Sequence, residues 1–351
     1  MGEGTLLIRA DANVALGTGH IMRCLALAQA WQDAGGKVVF AMVNPLPSVR
    51  ERLLSEGMEI VPMESQGGSI DDNRHTVELT RRYNAAWVVV DGYHFGAAYQ
   101  RDLKAAGAQV LFVDDGGSSE HYAADLVLNQ NANADESSYR SREPYVRLLL
   151  GSRYVLLRRE FWSWQNWKRE IPSVGRKVLI TMGGTDPDNI TTQVIAALKE
   201  TRIEGLEAVV VAGGSNPHLE SLERLAAECR GSVRLLRDPA NMPELMAWAD
   251  LALIAAGGTL WELLCMGCPV LSYARNPVQA EIVCRLQDEG IVQGLFDPQE
   301  SSPMRVASAL EELANSEERR ARFCRLARQR IDGGGAQRVF EVLVSSGVTR
   351  L

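Results

Sequence analysis

The chain has 351 residues, of which 46% are hydrophobic and 23% charged, and its net charge is −7. This length is sufficient for two domains that each bury a core, and the composition is typical of a soluble globular protein. The acidic balance excludes binding that depends on bulk attraction to nucleic acid or to an anionic membrane.

The apolar runs are too short for a signal peptide or a bilayer span, so neither is expected. The six cysteines show no disulfide framework, which favours a cytoplasmic location. Cys265 and Cys268 form one CxxC pair. A zinc site would need a second pair or suitably spaced histidines, so no metal is predicted there.

Strand-like apolar runs alternate with helical stretches in the first half of the chain. Strands are predicted at 6–10, 38–43, 59–63, 87–91, 110–114 and 126–128. Helices are predicted at 20–34, 48–56, 73–84 and 97–106. This alternation predicts right-handed βαβ crossovers and a mostly parallel sheet, with ligands at the carboxyl ends of its strands.

A glycine loop follows the first predicted strand and opens a helix. Gly17 and Gly19 allow positive φ and close approach of a ligand. The helix start offers unpaired N–H groups and the positive end of the dipole, which suit a phosphate. The same field disfavours an imidazolium and so favours a neutral, proton-accepting His20. The alternative is a tight βα turn with a surface histidine.

Polar residues also follow the other strands at the same predicted sheet edge. Each of them can be a turn residue by itself, but their shared edge predicts a polar site. The candidates are Asp11 and Asn13 after the first strand, Asp91, Tyr93 and His94 after the fourth, Asp114 and Asp115 after the fifth, and Asn129 to Asn131 after the sixth.

A second alternating unit follows a tryptophan-rich, helix-like stretch at 158–167 and a predicted linker at 171–175. Its strands are predicted at 178–182, 208–212, 233–236, 251–255 and 270–273. Its helices are predicted at 188–200, 217–229, 242–249, 259–266 and 278–289, and three more helical stretches include 317–330 and 336–345. We therefore expect an α/β protein with two doubly wound, Rossmann-like domains facing across a cleft, residues 1–157 and 158–351. The last helix can pack back on the first domain.

Gly183 and Gly184 repeat the order of strand, glycines and helix in the second unit. Asp186 fits a helix N-cap, and Pro187 fits the first helical position. The alternative is a metal pair formed by Asp186 and Asp188, but the position of the proline explains the spacing without a metal.

Gly257, Gly258 and Thr259 open another helix, with Glu262 one turn later on the same face. Glu262 is placed to accept hydrogen bonds from a ribose diol beside a phosphate-binding helix start. The alternative, which the spacing alone favours, is a capping box, in which Thr is followed three residues later by Glu. Gln279, at the next helix start, either donates to phosphate or sugar hydroxyls or serves the helix cap.

Several segments, spread in order over nearly the whole chain, carry a resemblance to a known family. They are Arg9 to Asp11, Gly17 to His20, Met22 to Leu25, Val90 to Tyr93, Asp114 and Asp115, Asn129 to Asn131, 156–161, 183–189, 256–262 and Gln279. In this order they resemble the pseudaminic-acid-pathway UDP-sugar hydrolases and the wider group of spore-coat polysaccharide glycosyltransferase-like proteins. The later loops are also similar to those of the lipid-linked peptidoglycan N-acetylglucosaminyltransferase.

The resemblance implies a GT-B fold with an N-terminal sugar-binding and catalytic-base domain and a C-terminal UDP-binding domain. It implies hydrolysis of a UDP-2,4-diacetamido-2,4,6-trideoxy hexose of the β-L-altropyranose type, with inversion, in pseudaminic-acid-like nonulosonic acid biosynthesis. His20 would be the general base and Glu262 would hold the ribose, with backbone amides in place of a metal at the diphosphate. Substrate contacts are expected from Asp11, Gly17, Gly19, Asp91, Tyr93, Asn129, Gly183, Gly184, Gly257, Gly258, Thr259, Glu262 and Gln279.

The chain departs from the family at residues 12–16, which replace a serine-containing loop, and at Leu263, where these hydrolases often carry arginine. The first hypothesis is a hydrolase that needs neither metal nor cofactor. The second is a GT-B glycosyltransferase acting on an acceptor in surface polysaccharide biosynthesis, and the third is a non-catalytic nucleotide-sugar-binding protein. The expected partner is a small-molecule UDP-sugar, with no nucleic acid and no stable membrane insertion. The sequence identifies no protein partner.

Overall fold

The computed structural model of the chain describes residues 4–13, 17–229, 231–295 and 302–347. The chain divides into two compact units. The N-terminal unit consists of Met1–Arg159 and Gly333–Leu351, and the C-terminal unit consists of Glu160–Asp332. Each unit has its own parallel sheet and its own helices, so the expected α/β class is confirmed.

The N-terminal unit is a doubly wound parallel sheet. Its strands are β1 (Thr5–Ala10), β2 (Lys37–Val43), β3 (Glu59–Met63), β4 (Ala85–Asp91), β5 (Val110–Val113), β6 (Leu126–Asn129) and β7 (Arg147–Leu150). Its helices are α1 (Gly19–Asp33), α2 (Pro47–Ser55), α3 (Ile70–Arg82), α4 (Ala97–Ala105) and α12 (Gly335–Gly347). Among the described residues the strand order is β3-β2-β1-β4-β5-β6-β7.

The C-terminal unit repeats this plan. Its strands are β8 (Lys177–Thr181), β9 (Glu207–Ala212), β10 (Val233–Arg237), β11 (Leu251–Ala255), β12 (Val270–Tyr273) and β13 (Gln293–Leu295). Its helices are α5 (Ile190–Glu200), α6 (Leu219–Ala227), α7 (Met242–Trp248), α8 (Gly258–Cys265), α9 (Pro277–Asp288), α10 (Pro303–Ala314) and α11 (Glu317–Arg330). The described strands have the order β10-β9-β8-β11-β12-β13.

The central strands of both sheets are apolar because they are covered on two faces. Every residue of β1 and of β11 is buried, as is typical of strands in a parallel sheet between helix layers. In each sheet the chain first adds strands on one side and then returns to the other, between β1 and β4 and between β8 and β11. Ligands of open α/β sheets bind at such switch points, beyond the carboxyl ends of the strands.

The last helix, α12, belongs to the N-terminal unit, where it packs on α1. Phe340 meets Trp31 with ring centroids 5.8 Å apart, and Val339 and Leu343 are fully buried. Trp87 of β4 donates its indole N–H to the carbonyl oxygen of Leu343 at 3.2 Å. Helix α12 falls within the second segment expected from sequence, 158–351, but in the structure it belongs to the N-terminal unit.

Some local expectations were wrong. Strands β7 and β13 were not predicted; both are short and lie at the edge of their sheets, where their residues are mostly only partly buried. The tryptophan-rich stretch forms a 3₁₀ helix at Arg159–Trp164 instead of a long helix. The predicted linker is packed inside the C-terminal unit, where Arg320 donates to the carbonyl oxygen of Pro172.

In the described part of the chain, no helix is both long and apolar enough to cross a bilayer.

Candidate active site

His20 and Asp91 meet at the switch point of the N-terminal sheet. His20 is the second residue of α1, which follows β1, and Asp91 is the last residue of the neighbouring β4. Their Nδ1 and Oδ1 atoms are 2.6 Å apart, and both side chains are buried. A carboxylate can only accept, so Nδ1 carries the proton and donates it to Asp91. In the neutral ring, Nε2 is then the nitrogen that can accept a proton.

Arg23 fixes the charge and orientation of Asp91. Its Nε donates to Oδ2 and its Nη2 donates to Oδ1, both at 2.7 Å, in a two-pronged ion pair. Arg23 Nη2 also lies 3.1 Å from His20 Nδ1, but that nitrogen already donates to Asp91 and so does not accept from Arg23. Burial opposes ionisation of Asp91, yet the Arg23 guanidinium outweighs it and lowers the pKa of this carboxyl well below its usual range.

The network continues from Arg23 to the loop after β5. Arg23 Nη1 donates to Asp115 Oδ1 at 2.6 Å, and the Tyr93 hydroxyl donates to Asp115 Oδ2 at 2.9 Å. Asn131 Nδ2 donates to Asp115 Oδ1 at 3.0 Å. The Tyr93 ring stands edge-on to the His20 ring, with centroids 5.1 Å apart. Burial and the Asp115 charge raise the pKa of Tyr93, so this phenol stays protonated and serves as a donor.

Asp11 lies at the same edge but has partners within the protein. Its Oδ1 accepts from Arg9 Nη1 at 2.7 Å and from the Val43 N–H at 2.8 Å. His94 Nε2 lies 3.5 Å from Oδ2. Burial works against ionisation, but the contacts with His94 and Arg9 lower the pKa of Asp11 to about 2. These contacts tie together the segments after β1, β2 and β4.

Asn129 faces inward. Its Nδ2 donates to the Tyr139 hydroxyl at 2.8 Å, and its Oδ1 accepts from the Asn131 N–H at 3.0 Å. Both ends of the amide are thus engaged in shaping the loop after β6. Its role as a direct substrate contact stays a prediction, while Asn131, its neighbour, reaches Asp115 of the His20 network.

The first glycine loop is closed by its own backbone. Gly17 has φ +73°, and its N–H donates to the Asn13 carbonyl oxygen at 2.8 Å. Helix α1 begins at Gly19, one residue before the predicted start, and space is open where a Gly19 side chain would stand. Residues 14–16, which belong to the segment that departs from the family, lie outside the described residues.

In the C-terminal unit, the loop after β8 serves a helix start, although two residues later than expected. Asp186 accepts from the Ile190 and Thr191 N–H groups, each at 3.0 Å, and from the Thr191 hydroxyl at 2.6 Å. Asn189 is the N-cap and α5 begins at Ile190, so Pro187 is not its first residue. The Asp186 carboxylate is fully buried against these donors, which argues against its use as a metal ligand.

Helix α8 begins directly after β11, with Gly257 as its N-cap. Thr259 is therefore the second helical residue and not the cap, so the capping-box alternative is wrong. Gly257 and Gly258 are exposed, and nothing lies within 4 Å of where their Cβ atoms would be. Glu262 lies one turn later and is buried to 8% exposure. These features leave an open helix start with a carboxylate behind it.

The start of α9 matches the capping alternative. Asn276 accepts from the Gln279 N–H at 2.9 Å, and Gln279 Oε1 accepts from the Arg275 N–H at 2.9 Å. The Gln279 side chain therefore braces the loop through its oxygen. Its amide nitrogen is the end that can donate to a ligand.

The described residues hold no group of three or more His, Cys, Asp or Glu side chains arranged to bind a metal. Cys265 and Cys268 are buried, and burial raises the pKa of both thiols to about 11. Such thiols stay protonated near neutral pH and are poor metal ligands.

Sequence reasoning did not include Arg23 or Asp115 among the expected substrate contacts. The spacing held a signal for Arg23, since it lies three residues after His20 on α1 and so shares a helix face with it. For Asp115, the signal in the spacing was its place at the predicted sheet edge. Its partners Arg23 and Tyr93 come from other elements, and no local pattern connects them.

Comparison with curated proteins finds relatives that are 24% to 28% identical to this chain. The chain is 28% identical to the UDP-2,4-diacetamido-2,4,6-trideoxy-beta-L-altropyranose hydrolase of Campylobacter jejuni, over 74% of this chain and 87% of that protein. It is 28% identical to the spore coat polysaccharide biosynthesis protein SpsG of Bacillus subtilis, over 52% of each chain. It is 24% identical to the uncharacterized protein MJ1062 of Methanocaldococcus jannaschii, over 79% of this chain and 57% of that protein. The matched region thus spans little more than half of the last two relatives.

A family model and solved structures agree on the fold. Residues 164–330 match the model described as Glycosyl transferases group 1. MurG of Acinetobacter baumannii superimposes with a TM-score of 0.65 at 15% identity, covering 97% of this chain and 99% of that one. Anabaena Alr3699/HepE in complex with UDP gives a TM-score of 0.62 at 15% identity, covering 97% and 100%. The chain therefore has a two-domain GT-B fold, and the expected resemblance to the UDP-sugar hydrolase and spore-coat polysaccharide group is confirmed.

Proposed function

We propose that the enzyme hydrolyses a UDP-2,4-diacetamido-2,4,6-trideoxy hexose and releases UDP. The observation that carries the proposal is the contact of 2.6 Å between His20 Nδ1 and Asp91 Oδ1 at the sheet switch point. It provides an oriented general base in the unit expected to hold the sugar. The name of the Campylobacter jejuni relative supports the substrate class.

In the proposed step, water attacks the anomeric carbon while His20 Nε2 accepts one of its protons. The new bond joins the water oxygen to the carbon, and the bond from that carbon to the β-phosphate oxygen breaks. UDP leaves with the electron pair, and attack from the opposite face inverts the carbon. The hydrogen bond to Asp91 stabilises the imidazolium until its proton passes to solvent.

In this proposal, Arg23 keeps Asp91 in the charge state that the base requires. Because its guanidinium holds Asp91 ionised, Asp91 accepts a hydrogen bond from His20 and does not take the proton itself. Tyr93 limits the rotation of the His20 ring by its edge-on contact. Catalysis by a positioned base of this kind typically contributes about 10²–10⁴-fold.

The C-terminal unit is proposed to bind the UDP moiety through the ends of its strands. The open start of α8 at Gly257, Gly258 and Thr259 supplies backbone donors and the helix dipole for phosphate. Glu262 would accept from the ribose hydroxyls. The loop at Gly183 and Gly184 and the amide of Gln279 complete the proposed contacts.

A glycosyltransferase is the second candidate. The match of residues 164–330 to a glycosyltransferase family model and the similarity to SpsG favour it. The same site would then bind the UDP-sugar, and the same base would activate an acceptor hydroxyl in place of water. The two candidates differ only in the nucleophile.

One assay separates the two candidates. The purified protein is incubated with the UDP-sugar alone in excess EDTA, and free UDP is measured. Hydrolysis predicts UDP release without an acceptor, and the proposed binding of the diphosphate by the N–H groups at the start of α8 predicts that EDTA does not abolish it. Release that requires an added acceptor would favour the transferase.

The base is tested with His20→Asn, which should lose about 10²–10⁴-fold in turnover and still bind UDP. His75→Asn, on α3 and outside the network, is the matched control and should keep wild-type turnover. Near-wild-type turnover of His20→Asn would rule out His20 as the base. Loss of UDP binding together with turnover would indicate a positioning or folding role instead.

A further inference from the structure

We propose that Arg275 is the cationic group that binds the diphosphate of the nucleotide, and that Asp188 holds its guanidinium in place until the ligand arrives. This inference rests on the proposed function, because it names a residue for the UDP moiety. Arg275 was not among the residues that the sequence suggested for substrate binding.

Arg275 lies at the ligand-binding edge of the C-terminal sheet. It follows β12, and Asp188 lies in the loop after β8, so each stands beyond the carboxyl end of its strand. In the sheet, β11 pairs with β8 on one side and with β12 on the other. A contact between Arg275 and Asp188 therefore crosses the end of β11, where α8 begins at Gly258.

The hydrogen-bond donors of the Arg275 guanidinium are poorly satisfied by the protein. Its Nη2 lies 3.6 Å from Asp188 Oδ2, which is long for an ion pair, and 68% of the Asp188 side chain is exposed. Its Nε is buried and has no hydrogen-bond partner among the described residues. A guanidinium offers five N–H donors in a planar fork, so an unused buried donor signals capacity for another acceptor.

The electrostatics around Arg275 also favour an anionic ligand. A guanidinium beside a helix N-terminus meets the positive end of the helix dipole, which is unfavourable unless an anion lies between them. A diphosphate satisfies both the helix N–H groups and the guanidinium. In a chain of net charge −7, such a local cation is what an anionic ligand requires.

Hydrogen bonds to the Gln279 and Asn276 side chains fix the backbone at Arg275. Its own N–H donates to Gln279 Oε1 at 2.9 Å, and Asn276 caps α9 directly after it. The side chain can therefore exchange the Asp188 carboxylate for phosphate while its Cα stays in place. The ion pair is long and its carboxylate is exposed, so the exchange costs little.

The test compares uridine with UDP by calorimetric titration. Arg275→Gln should weaken UDP roughly ten- to a hundred-fold and leave uridine unchanged, and it should reduce the salt dependence of UDP binding. Glu262→Ala, which removes the proposed ribose contact, should weaken both ligands. Asp188→Asn should strengthen UDP by up to about fivefold, since it removes the competing carboxylate.

Arg285→Ala is the matched control, because Arg285 lies near the far end of α9 and pairs with Glu289 at 3.0 Å. It should bind UDP like the wild type. If Arg275→Gln lowers thermal stability, Arg275→Lys keeps the charge and should retain part of the UDP affinity while losing the two-pronged contact.

These titrations test the inference about Arg275 separately from the proposed function. If the wild type binds UDP and Arg275→Gln binds it equally well, or loses uridine to the same extent, the inference about Arg275 is wrong and the proposed function stands. If the wild type binds neither UDP nor UDP-sugar, the proposed function fails and the inference fails with it.

Discussion

Asp91 controls the chemistry of His20 at the scale of single residues. It accepts from His20 Nδ1 and from two nitrogens of Arg23, so one carboxylate both orients the imidazole and is itself held ionised. The Cys24 thiol also donates to Asp91, to the Oδ2 atom, at 3.3 Å. With this arrangement the tautomer of His20 is set by the protein before any substrate binds.

We expect Asp91→Asn to lower turnover by about 10²–10⁴-fold, because an amide can donate its proton to Nδ1 and so present the wrong ring nitrogen to the substrate. UDP affinity should stay unchanged. Steady-state kinetics and UDP titration check both expectations. Asp102→Asn, on α4 and outside this network, is the control, and an Asp91→Asn enzyme with a wild-type rate would contradict the role of Asp91.

Asp11 should contribute to acid stability. Its pKa is about 2 in the folded protein, against an ordinary value near 3.8, so ionised Asp11 favours the folded state. This contribution, about 2 kcal/mol, is fully present above pH 4 and is lost as the pH falls through about 2. We expect Asp11→Asn to unfold more easily at pH 7, and its difference from the wild type to shrink between pH 4 and pH 2.

Urea unfolding at several pH values measures this difference. Asp71→Asn is the control, because 72% of the Asp71 side chain is exposed and its ion pair with Arg74 lies on the surface. A stability gap for Asp11→Asn that does not change with pH would show that the carboxylate charge is not its source.

At the scale of elements, both units place a glycine loop between a central strand and a helix. In the C-terminal unit the loops after β8 and β9 touch through glycine backbones. A Cβ atom on Gly213 would come within 2.2 Å of the Gly184 carbonyl oxygen. The absence of a side chain at Gly213 therefore sets the path of the loop that carries Gly183 and Gly184.

Gly213→Ala should destabilise the C-terminal unit by about 1–3 kcal/mol, because the loop backbone has to move. UDP affinity should fall as well if the Gly183 loop contacts the nucleotide. Gly258→Ala is the control for stability, since its Cβ would meet nothing within 4 Å. Thermal unfolding compares the two variants, and equal melting temperatures would contradict the close contact.

At the scale of the whole molecule, the two ends of the chain share one unit. Helix α12 covers α1, the helix that carries His20, and its Leu343 is fully buried beside Trp87. The chain therefore leaves the N-terminal unit at Arg159 and re-enters it at Gly333. The stability of the helix that bears the proposed base depends on residues more than 300 positions away.

Leu343→Ala should cost about 2–5 kcal/mol, as expected for a large side chain removed from a packed core. Hydrogen exchange measured by mass spectrometry should become faster in β1 and α1 and stay unchanged in β8. Ser345→Ala, at an exposed position of α12, is the control. Equal acceleration in both units would contradict the assignment of α12 to the N-terminal unit alone.

The alternation of strands and helices and the GT-B resemblance could both be predicted from the sequence. Predicted strands at 59–63, 251–255 and 270–273 and the helix at 317–330 coincide with those in the structure. Period and apolar runs are local properties, and burial between helix layers makes central strands easy to recognise. The same local logic placed His20 and Asp91 at one sheet edge.

Which residues at the sheet edge act together depends on tertiary packing. His20 lies on α1, Asp91 ends β4 and Asp115 lies in the loop after β5, and Arg23 joins them through side-chain geometry that no spacing records. Asp11 and Asn129 turned inward because the packed interior required partners for their buried oxygens. The cap of α8 at Gly257 and the return of α12 were settled in the same way, since long-range packing outweighs local propensity.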